Sequence, residues 1–394
     1  MRNVLVLGSV RTPIGSMNGV YSNTKAVELG VIAAKETLRR TGAEPAQIDE
    51  VVIGNVLTAG QGQNPARQIT LGAGLPEATP AFTVNKVCGS GLKAIELGWQ
   101  SILLGRANMV LAGGAENMTL APYILPAMRA GARMGDAKAV DAMIFDGLWE
   151  IFNNYHMGLT AENIAAQYGI TREEQDAFAY DSQMKCAKAM QAGVFKEEIT
   201  PVTVKQKKGE VVVDTDEHPK PDTTLEKMAK LRPAFKPDGT VTAANASGIN
   251  DAAATVLLVA EDAVPANVNT EGAVYLRDVR SSGCNPAVMG LGPIGAVRKL
   301  LEKNHLQVSD IDLWELNEAF ASQSIACIRD LGIDISKVNV NGGAIALGHP
   351  IGCTGARVST ALIHEMKRRG VRYGVATMCI GGGMGIAGLY ENKA

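Results

Sequence analysis

Four short stretches of this 394-residue chain put reactive side chains where the backbone is set to turn. In Val84-Asn-Lys-Val-Cys-Gly-Ser-Gly91, Cys88 stands immediately before Gly-Ser-Gly. In Asn341-Gly-Gly-Ala-Ile-Ala-Leu-Gly-His-Pro-Ile-Gly352, His349 lies between a glycine and a proline. Cys379 precedes the glycine run of Met378-Cys-Ile-Gly-Gly-Gly-Met-Gly385, and Asn317 opens Asn317-Glu-Ala-Phe320. A thiol beside a base is the nucleophile-and-base pair of covalent catalysis. A glycine run can turn its N–H groups toward a developing oxyanion. A sulfur at the head of a helix faces the positive end of the dipole, which favours thiolate. Each residue also has a structural reading that stays open on these grounds. Cys88 could be an inert buried thiol, His349 a partner for loop carbonyls, the Cys379 run a plain turn, and Asn317 a helix N-cap.

The surrounding pattern says what must hold these residues. Ala81-Phe-Thr-Val-Asn85 reads as a buried strand, and Leu92, Ile95, Trp99 and Ile102 recur at helical spacing, so Cys88 is expected in a strand-to-helix turn. Much of this pattern occurs twice. Glu36-Thr-Leu-Arg-Arg-Thr41 followed by Gln47-Ile-Asp-Glu-Val-Val-Ile53 reads as helix, loop, strand, and so does Lys299–Lys303 followed by Asp310–Leu316. Val84-Asn85 matches Val340-Asn341, each followed by a glycine-rich turn and a helix, so His349 falls where Cys88 falls in the other half. Ala107–Gly114 pairs with Gly374–Gly382. Thr255–Ala260 and Ile386–Tyr390 close the two halves as final strands. Two such halves would enclose helices between two sheets, a layered α/β architecture.

The first half is interrupted from about Glu116 to Asn250. Thr171-Arg-Glu-Glu174 fits a capping box whose helix runs toward Gly193. Lys205–Glu210 reads as a solvated turn leading into the strand Val211–Val213, and the two prolines of Asp216–Asp222 exclude regular structure there. The insertion is either a structural cover or a binding element.

Composition narrows the class. With 46% hydrophobic and 20% charged residues the chain is globular, and a net charge of −2 argues against a nucleic-acid surface spread over the whole protein. The six cysteines form no C-x-x-C pair, so reduced thiols are expected in place of a zinc site or disulfide framework. Met1 leads straight into Val4–Leu7, no apolar run approaches a membrane span, and the final Glu-Asn-Lys-Ala carries no address signal. A soluble, cytoplasmic protein is expected.

Taken together, Cys88-Gly-Ser-Gly, Asn317-Glu-Ala-Phe, Gly348-His-Pro and Cys379-Ile-Gly resemble the four active-site loops of the thiolases. The likeness runs from Val10-Arg-Thr-Pro-Ile-Gly15 to the last strand, through Gly62–Arg67, Asn245–Asp251 and Asn339-Val-Asn-Gly-Gly-Ala344. Tyr155-His-Met-Gly-Leu-Thr-Ala-Glu-Asn163 looks like the short-chain acetoacetyl-CoA members. The resemblance implies a duplicated, layered αβαβα core with the inserted loop domain at 118–245. The N-terminal half would be 1–117 with 246–268, and the C-terminal half 269–394.

It also implies reversible condensation of two acetyl-CoA to acetoacetyl-CoA and CoA, by a ping-pong route through an acetyl-cysteine. Cys88 would be the nucleophile, His349 its base and Cys379 the second acid/base. Asn317 with His349 would form one oxyanion hole, through a water held by Asn317, and the N–H groups of Cys88 and Gly381 the other. Ser247 would meet the pantetheine, and His156 with Met157 the acyl pocket. Lys220 would lie near the adenine, where an arginine is frequent and lysine loses the planar stacking. No metal or redox cofactor is implied, and a dimer or dimer of dimers is. Ala115 stands where a methionine is usual, and Cys353 is a further departure close to His349. A ketoacyl-synthase-type enzyme would need a second histidine where Asn317 stands. A cysteine hydrolase, a non-catalytic acyl-CoA carrier and a thiolase of broader chain length are the other readings.

Overall fold

The computed structural model describes residues 2–206 and 209–392. Met1, Lys207, Lys208, Lys393 and Ala394 lie outside them, and with them the centre of the charged turn expected at 205–210 and the end of the C-terminal tail.

Nine strands carry the architecture: β1 (Val4–Arg11), β2 (Glu50–Gly54), β3 (Ala81–Val84), β4 (Met109–Asn117), β5 (Asn250–Ala260), β6 (Val274–Gly283), β7 (Leu313–Leu316), β8 (Tyr373–Ile380) and β9 (Met384–Asn392). They form one sheet in the order β7-β8-β9-β6-β1-β5-β4-β2-β3, with the short strand Gly15–Ser16 added beside β5. Outward from the middle, β1-β5-β4-β2-β3 on one side repeats as β6-β9-β8-β7 on the other. The counterpart of β3 is reduced to one parallel bridge, Trp314 to Val338. The two sheets expected to be separate are thus hydrogen-bonded to each other, though only where Leu5 meets Tyr275 and Val6 meets Val274.

Alternation along the strands sorts the side chains into layers. On β1, Val4 and Val6 enter the middle core while Leu5 and Leu7 enter an outer core. On β9, Ile386 and Tyr390 point to the middle, and Ala387 and Leu389 to the other outer core. Helices α1 (Ala26–Thr41) and α2 (Pro65–Gly72) cover the first outer face. Helix α3 (Ser90–Leu103) lies in the middle layer. In the insertion, α4 (Met157–Tyr168) and α5 (Arg172–Gln191) pack toward the second half. Helices α6 (Gly292–Lys303) and α7 (Ala321–Leu331) cover the second outer face, and α8 (Thr354–Arg369) joins α3 in the middle. The chain between β4 and β5 adds no strand to this sheet among the described residues.

The two middle helices cross at glycines. A Cβ on Gly355 would lie 2.1 Å from the Leu92 nitrogen, and one on Gly91 would lie 2.7 Å from the Ala356 nitrogen. Any side chain at either position would push the helices apart, and with them the turns at their N-terminal ends. Those turns carry Cys88 and His349. The crossing is therefore what brings the two chemical groups together.

In the insertion, Thr171 Oγ1 accepts from the Glu174 N–H and Glu174 Oε2 accepts from the Thr171 N–H, so α5 starts at the expected capping box. Val202–Gln206 and Gly209–Val213 pair as a hairpin, and residues 216–222 form neither helix nor strand. One strand reading is corrected. β3 is an edge strand, not a buried one, with a neighbour on one side only, and Phe82 is 37% exposed.

Candidate active site

The turn that delivers Cys88 is held against its own preferences. Val87 adopts φ 47°, a left-handed conformation that β-branched residues rarely take. Side-chain bonds support it: Asn85 Oδ1 accepts from the Val87 N–H at 2.9 Å, and Ser90 Oγ accepts from the Lys86 N–H at 2.8 Å. Strain of this kind costs about 1–3 kcal/mol and persists where the surroundings over-determine it. Here the turn is pressed onto the end of β8, where a Cβ on Gly89 would lie 2.5 Å from Ile380 Cδ1.

Cys88 is 8% exposed and opens onto a cavity of about 540 Å³. His349 and Gly381 reach the same cavity. The expectation that the helix terminus would favour thiolate is overturned. Burial pushes the Cys88 thiol up to about 11, although the N–H groups of Gly381 and of Cys88 itself point at the sulfur. At neutral pH it is a thiol, and a base must take its proton.

His349 borders the same cavity, and both its loop and its ring are fixed. Its backbone N–H donates to Asn250 Oδ1 at 3.0 Å, which fixes the loop against the first half. Nδ1 lies 2.6 Å from Thr354 Oγ1, and that hydroxyl donates to the Pro350 carbonyl at 2.9 Å. With its hydrogen committed to Pro350, the hydroxyl accepts from Nδ1–H, which leaves the lone pair on Nε2. Burial, and next the charge of Arg357, push the histidine down to about 3, so the ring is neutral. It is only 5% exposed, a more enclosed histidine than its glycine and proline neighbours suggested.

Asn317 is not an N-cap. Helix α7 begins at Ala321 with Phe320 as its cap, and Asn317 sits before it in the loop leaving β7. Its N–H donates to the Thr377 carbonyl at 2.9 Å, its Nδ2 lies 3.5 Å from His349 Nε2, and its buried Oδ1 has no hydrogen-bond partner among the described residues. Asn339 fixes this loop by bonding both the N–H and the carbonyl of Leu316, at 2.9 and 2.8 Å.

Cys379, near the end of β8, is fully buried and packs with Met157, Met289 and Phe320 beneath the cavity wall. Burial first, and then Cys88, push its thiol well above the ordinary range. The glycines after it turn through left-handed conformations, φ 85° at Gly382 and 84° at Gly383.

The remaining sequence-predicted residues, Ser247, His156, Met157 and Lys220, all line the same cavity. His156 caps α4 by accepting from the Gly158 N–H at 3.1 Å and stacks on Phe235 with centroids 4.7 Å apart. The Ser247 N–H donates to the Ala319 carbonyl at 3.0 Å, and the Lys220 N–H to Gln183 Oε1 at 2.9 Å. Cys353 and Ala115 do not join them. Cys353 is in the middle core and Ala115 in the first outer core. Among the described residues no group of three or more His, Cys, Asp or Glu could hold a metal ion, and no helix is long and apolar enough to cross a membrane.

Sequence reasoning missed three supports. Thr354 fixes the histidine tautomer, Asn250 holds its loop, and Glu116 accepts from the Val56, Leu57 and Gly352 N–H groups and from the Asn55 amide. Asn250 lies inside a stretch that carried the resemblance, while Glu116 lies beside Ala115 and Thr354 beside Cys353. Only their roles were hidden.

A duplicated sheet whose two central helices bring a cysteine and a histidine to one cavity is the architecture of thiolases. Two family models cover nearly all of the sequence, the thiolase N-terminal domain over residues 4–262 and the thiolase C-terminal domain over residues 270–392. The chain belongs to the thiolase family. It is 54% identical over 388 residues to an acetyl-CoA acetyltransferase of Pseudomonas aeruginosa, with 98% of each chain covered. It is 52% identical over 390 residues to a probable acetyl-CoA acyltransferase of Staphylococcus aureus, with 99% of each covered. Among solved structures, it superposes on the acetyl-CoA acetyltransferase of Bacillus anthracis with a TM-score of 0.95 at 42% identity, covering 100% of this chain and 99% of that one. Human mitochondrial 3-ketoacyl-CoA thiolase in complex with CoA gives 0.95 at 43% identity, covering 100% and 98%.

Proposed function

We propose that the protein is an acetyl-CoA C-acetyltransferase, converting two acetyl-CoA to acetoacetyl-CoA and CoA and back, through an acetyl group carried on Cys88. The observation that carries the reading is that a protonated Cys88 thiol and a neutral His349, with its lone pair on Nε2, border one cavity. His349 Nε2 takes the Cys88 proton as the sulfur attacks the thioester carbonyl. One oxyanion would be held by His349 with Asn317, through a water on Asn317, and the other by the N–H groups of Cys88 and Gly381. CoA leaves as its thiolate and takes the Cys379 proton, which frees that sulfur as the base of the next step, and the acyl-cysteine keeps thioester reactivity, so the acetyl group remains transferable.

In the second half-reaction Cys379 removes the α-proton of another acetyl-CoA. A thioester α-carbon is far less acidic than an ordinary thiol near 8.5. Burial raises Cys379 and so makes its thiolate a stronger base, a closer match to that proton. The enolate then attacks acetyl-Cys88, and the Cys88 thiolate departs and recovers its proton from His349. Every step moves an acyl group or a proton, so no metal or redox cofactor is called for. Ser247, His156, Met157 and Lys220 would hold the CoA thioesters, and a cytoplasmic homo-oligomer is the setting we infer. The likeness to a 3-ketoacyl-CoA thiolase keeps broader chain length as the second reading, and turnover with acetoacetyl-CoA against longer 3-ketoacyl-CoA substrates decides between them.

The test of the reaction is the loss of acetoacetyl-CoA enolate absorbance with and without free CoA. We expect loss only when CoA is present. Loss without CoA would indicate a hydrolase, and binding without turnover a carrier.

Asn317→Ala should lower kcat by roughly two to three powers of ten, the usual effect of removing one oxyanion donor. Because α7 is capped elsewhere, the unfolding midpoint and the affinity for CoA should barely change. Near-normal turnover in a variant about 1 kcal/mol less stable would instead assign Asn317 a capping role.

A further inference from the structure

Asn317 and His349 come from different loops, and a side chain with no part in the proposed chemistry ties one loop to the other. Glu318 directly follows Asn317 and is 1% exposed. Its carboxyl group accepts hydrogen bonds from three segments of the chain. Oε1 accepts from Asn339 Nδ2 at 2.7 Å, and Oε2 from the Ser182 hydroxyl at 2.8 Å and the Ile345 N–H at 3.1 Å. Other bonds fix these donors. Asn339 commits its amide oxygen and one amide hydrogen to Leu316, which leaves the second hydrogen for Glu318. Ser182 Oγ accepts from the Gly343 N–H at 3.0 Å, so its own hydrogen is the one that turns to Glu318.

The Ile345 bond reaches His349 along a short path. Residues 344–347 form one turn of helix, closed by the Leu347 N–H on the Gly343 carbonyl and the Gly348 N–H on the Ala344 carbonyl, each at 2.8 Å. His349 is the next residue. The Ile345 carbonyl is held as well, accepting from Gln183 Nε2 at 3.2 Å. Ser182 and Gln183 are neighbours on α5, so the insertion anchors this turn. Gly343 lets the chain come so close, since a Cβ there would lie 2.1 Å from Glu318 Cδ. Asn250 and Glu116 also hold the histidine loop, at the His349 and Gly352 N–H groups, but both tie it to the first half. Glu318 is joined to both members of the pair.

We infer that Glu318 is a positioning residue for the proposed reaction. Its carboxyl group sets the spacing of Asn317 from His349, 3.5 Å between Nδ2 and Nε2, and so the shape of the oxyanion hole that the two would form. Such a hole works only where its donors already sit at the place the oxyanion will occupy. The inference rests on the reading of Asn317 and His349 as the groups that serve that oxyanion.

The test is Glu318→Gln, alone and combined with Asn317→Ala, with kcat and KM measured for thiolysis of acetoacetyl-CoA. Turnover is expressed per chain that can be acetylated on Cys88, counted by peptide mass after full reaction with acetyl-CoA. A carboxyl oxygen keeps a lone pair even though burial pushes this acid up, whereas an amide nitrogen accepts nothing. Whichever way the new amide turns, its NH2 faces the Asn339 amide or the Ile345 N–H and pushes one arm of the clamp away. Glu318→Gln should therefore lower kcat roughly ten- to a hundredfold, the scale of loss from a misplacement of up to about 1 Å, with KM nearly unchanged. In the Asn317→Ala background the same change should add little, because the two residues act as one unit. A residue that only supports the fold would lower the unfolding midpoint and leave that kcat alone.

Wild-type kcat in folded Glu318→Gln, or losses that multiply in full in the double variant, would overturn the inference. Should Glu318→Gln not fold, Ser182→Ala decides, since it removes one donor and leaves the carboxyl group in place. A kcat-only loss that disappears in the Asn317→Ala background sustains the inference, and wild-type kcat or a multiplying loss overturns it. Near-normal turnover in Asn317→Ala alone removes the underlying reading, which is a different outcome from an essential Asn317 whose loss multiplies with that of Glu318.

Discussion

Cys88→Ala should lose thiolysis, condensation and acetyl exchange together, each by about five to six powers of ten, as happens when the nucleophile of a covalent mechanism is removed. No other thiol is placed to replace it. Cys353 is fully buried in the middle core, where burial pushes it up to about 12. Cys379 is fully buried beneath the cavity wall. Brief exposure of the wild type to acetyl-CoA should add one acetyl group per chain, on the peptide that contains Cys88. The variant loses one sulfur from a residue that already borders the cavity, so its unfolding midpoint should stay near that of the wild type. Acetyl label on Cys353 or Cys379 in the wild type would refute the assignment.

What the sequence revealed and what it hid divide along a physical line. The duplication was legible because it is written in local patterns: hydrophobic periodicity, Ile48-Asp49 against Ile311-Asp312, and two glycine turns at matching places. The same patterns put Cys88 and His349 at equivalent turns, and the glycine crossing of α3 and α8 makes that equivalence spatial. What failed to show was anything set by the surroundings. Phe82 has an apolar side chain whichever strand it occupies, and only sheet order reveals that β3 is an edge. Asn317 precedes a helix closely enough to resemble a cap, yet the backbone needs further residues before α7 begins. Helix-dipole reasoning favoured a thiolate at Cys88, but burial pushes the thiol up despite the two N–H groups that point at the sulfur. The tautomer of His349 depends on which way one threonine hydroxyl points, which no spacing encodes.

The correction at Cys88 sharpens the division of labour between the two cysteines. Burial keeps both thiols protonated at rest, and Cys88 further raises Cys379, so the site does not run on a standing pair of thiolates. Cys88 faces the cavity, and His349 borders the same cavity. Cys379 lies beneath that wall, held by β8 and the packing of Met157 and Phe320. The first arrangement suits attack on a carbonyl, and the second suits exchange of a proton with a group bound above it.

Cys379→Ala should therefore separate the half-reactions. The variant should still be acetylated on Cys88 by acetyl-CoA, and should still exchange that acetyl group with labelled free CoA. Exchange passes only through the acyl-cysteine and never forms an enolate, so no α-proton has to leave. Condensation to acetoacetyl-CoA should fall by at least 10²–10⁴, the usual contribution of a general base. The true loss should lie at the upper end, because the α-carbon is such a weak acid. In Cys88→Ala, by contrast, exchange and condensation should vanish together. The measurement is acetyl exchange and acetoacetyl-CoA synthesis on the same preparations of both variants, with circular dichroism to show that each is folded. Equal loss of both activities in folded Cys379→Ala would mean that Cys379 also serves the acyl-cysteine step and is not a dedicated proton carrier.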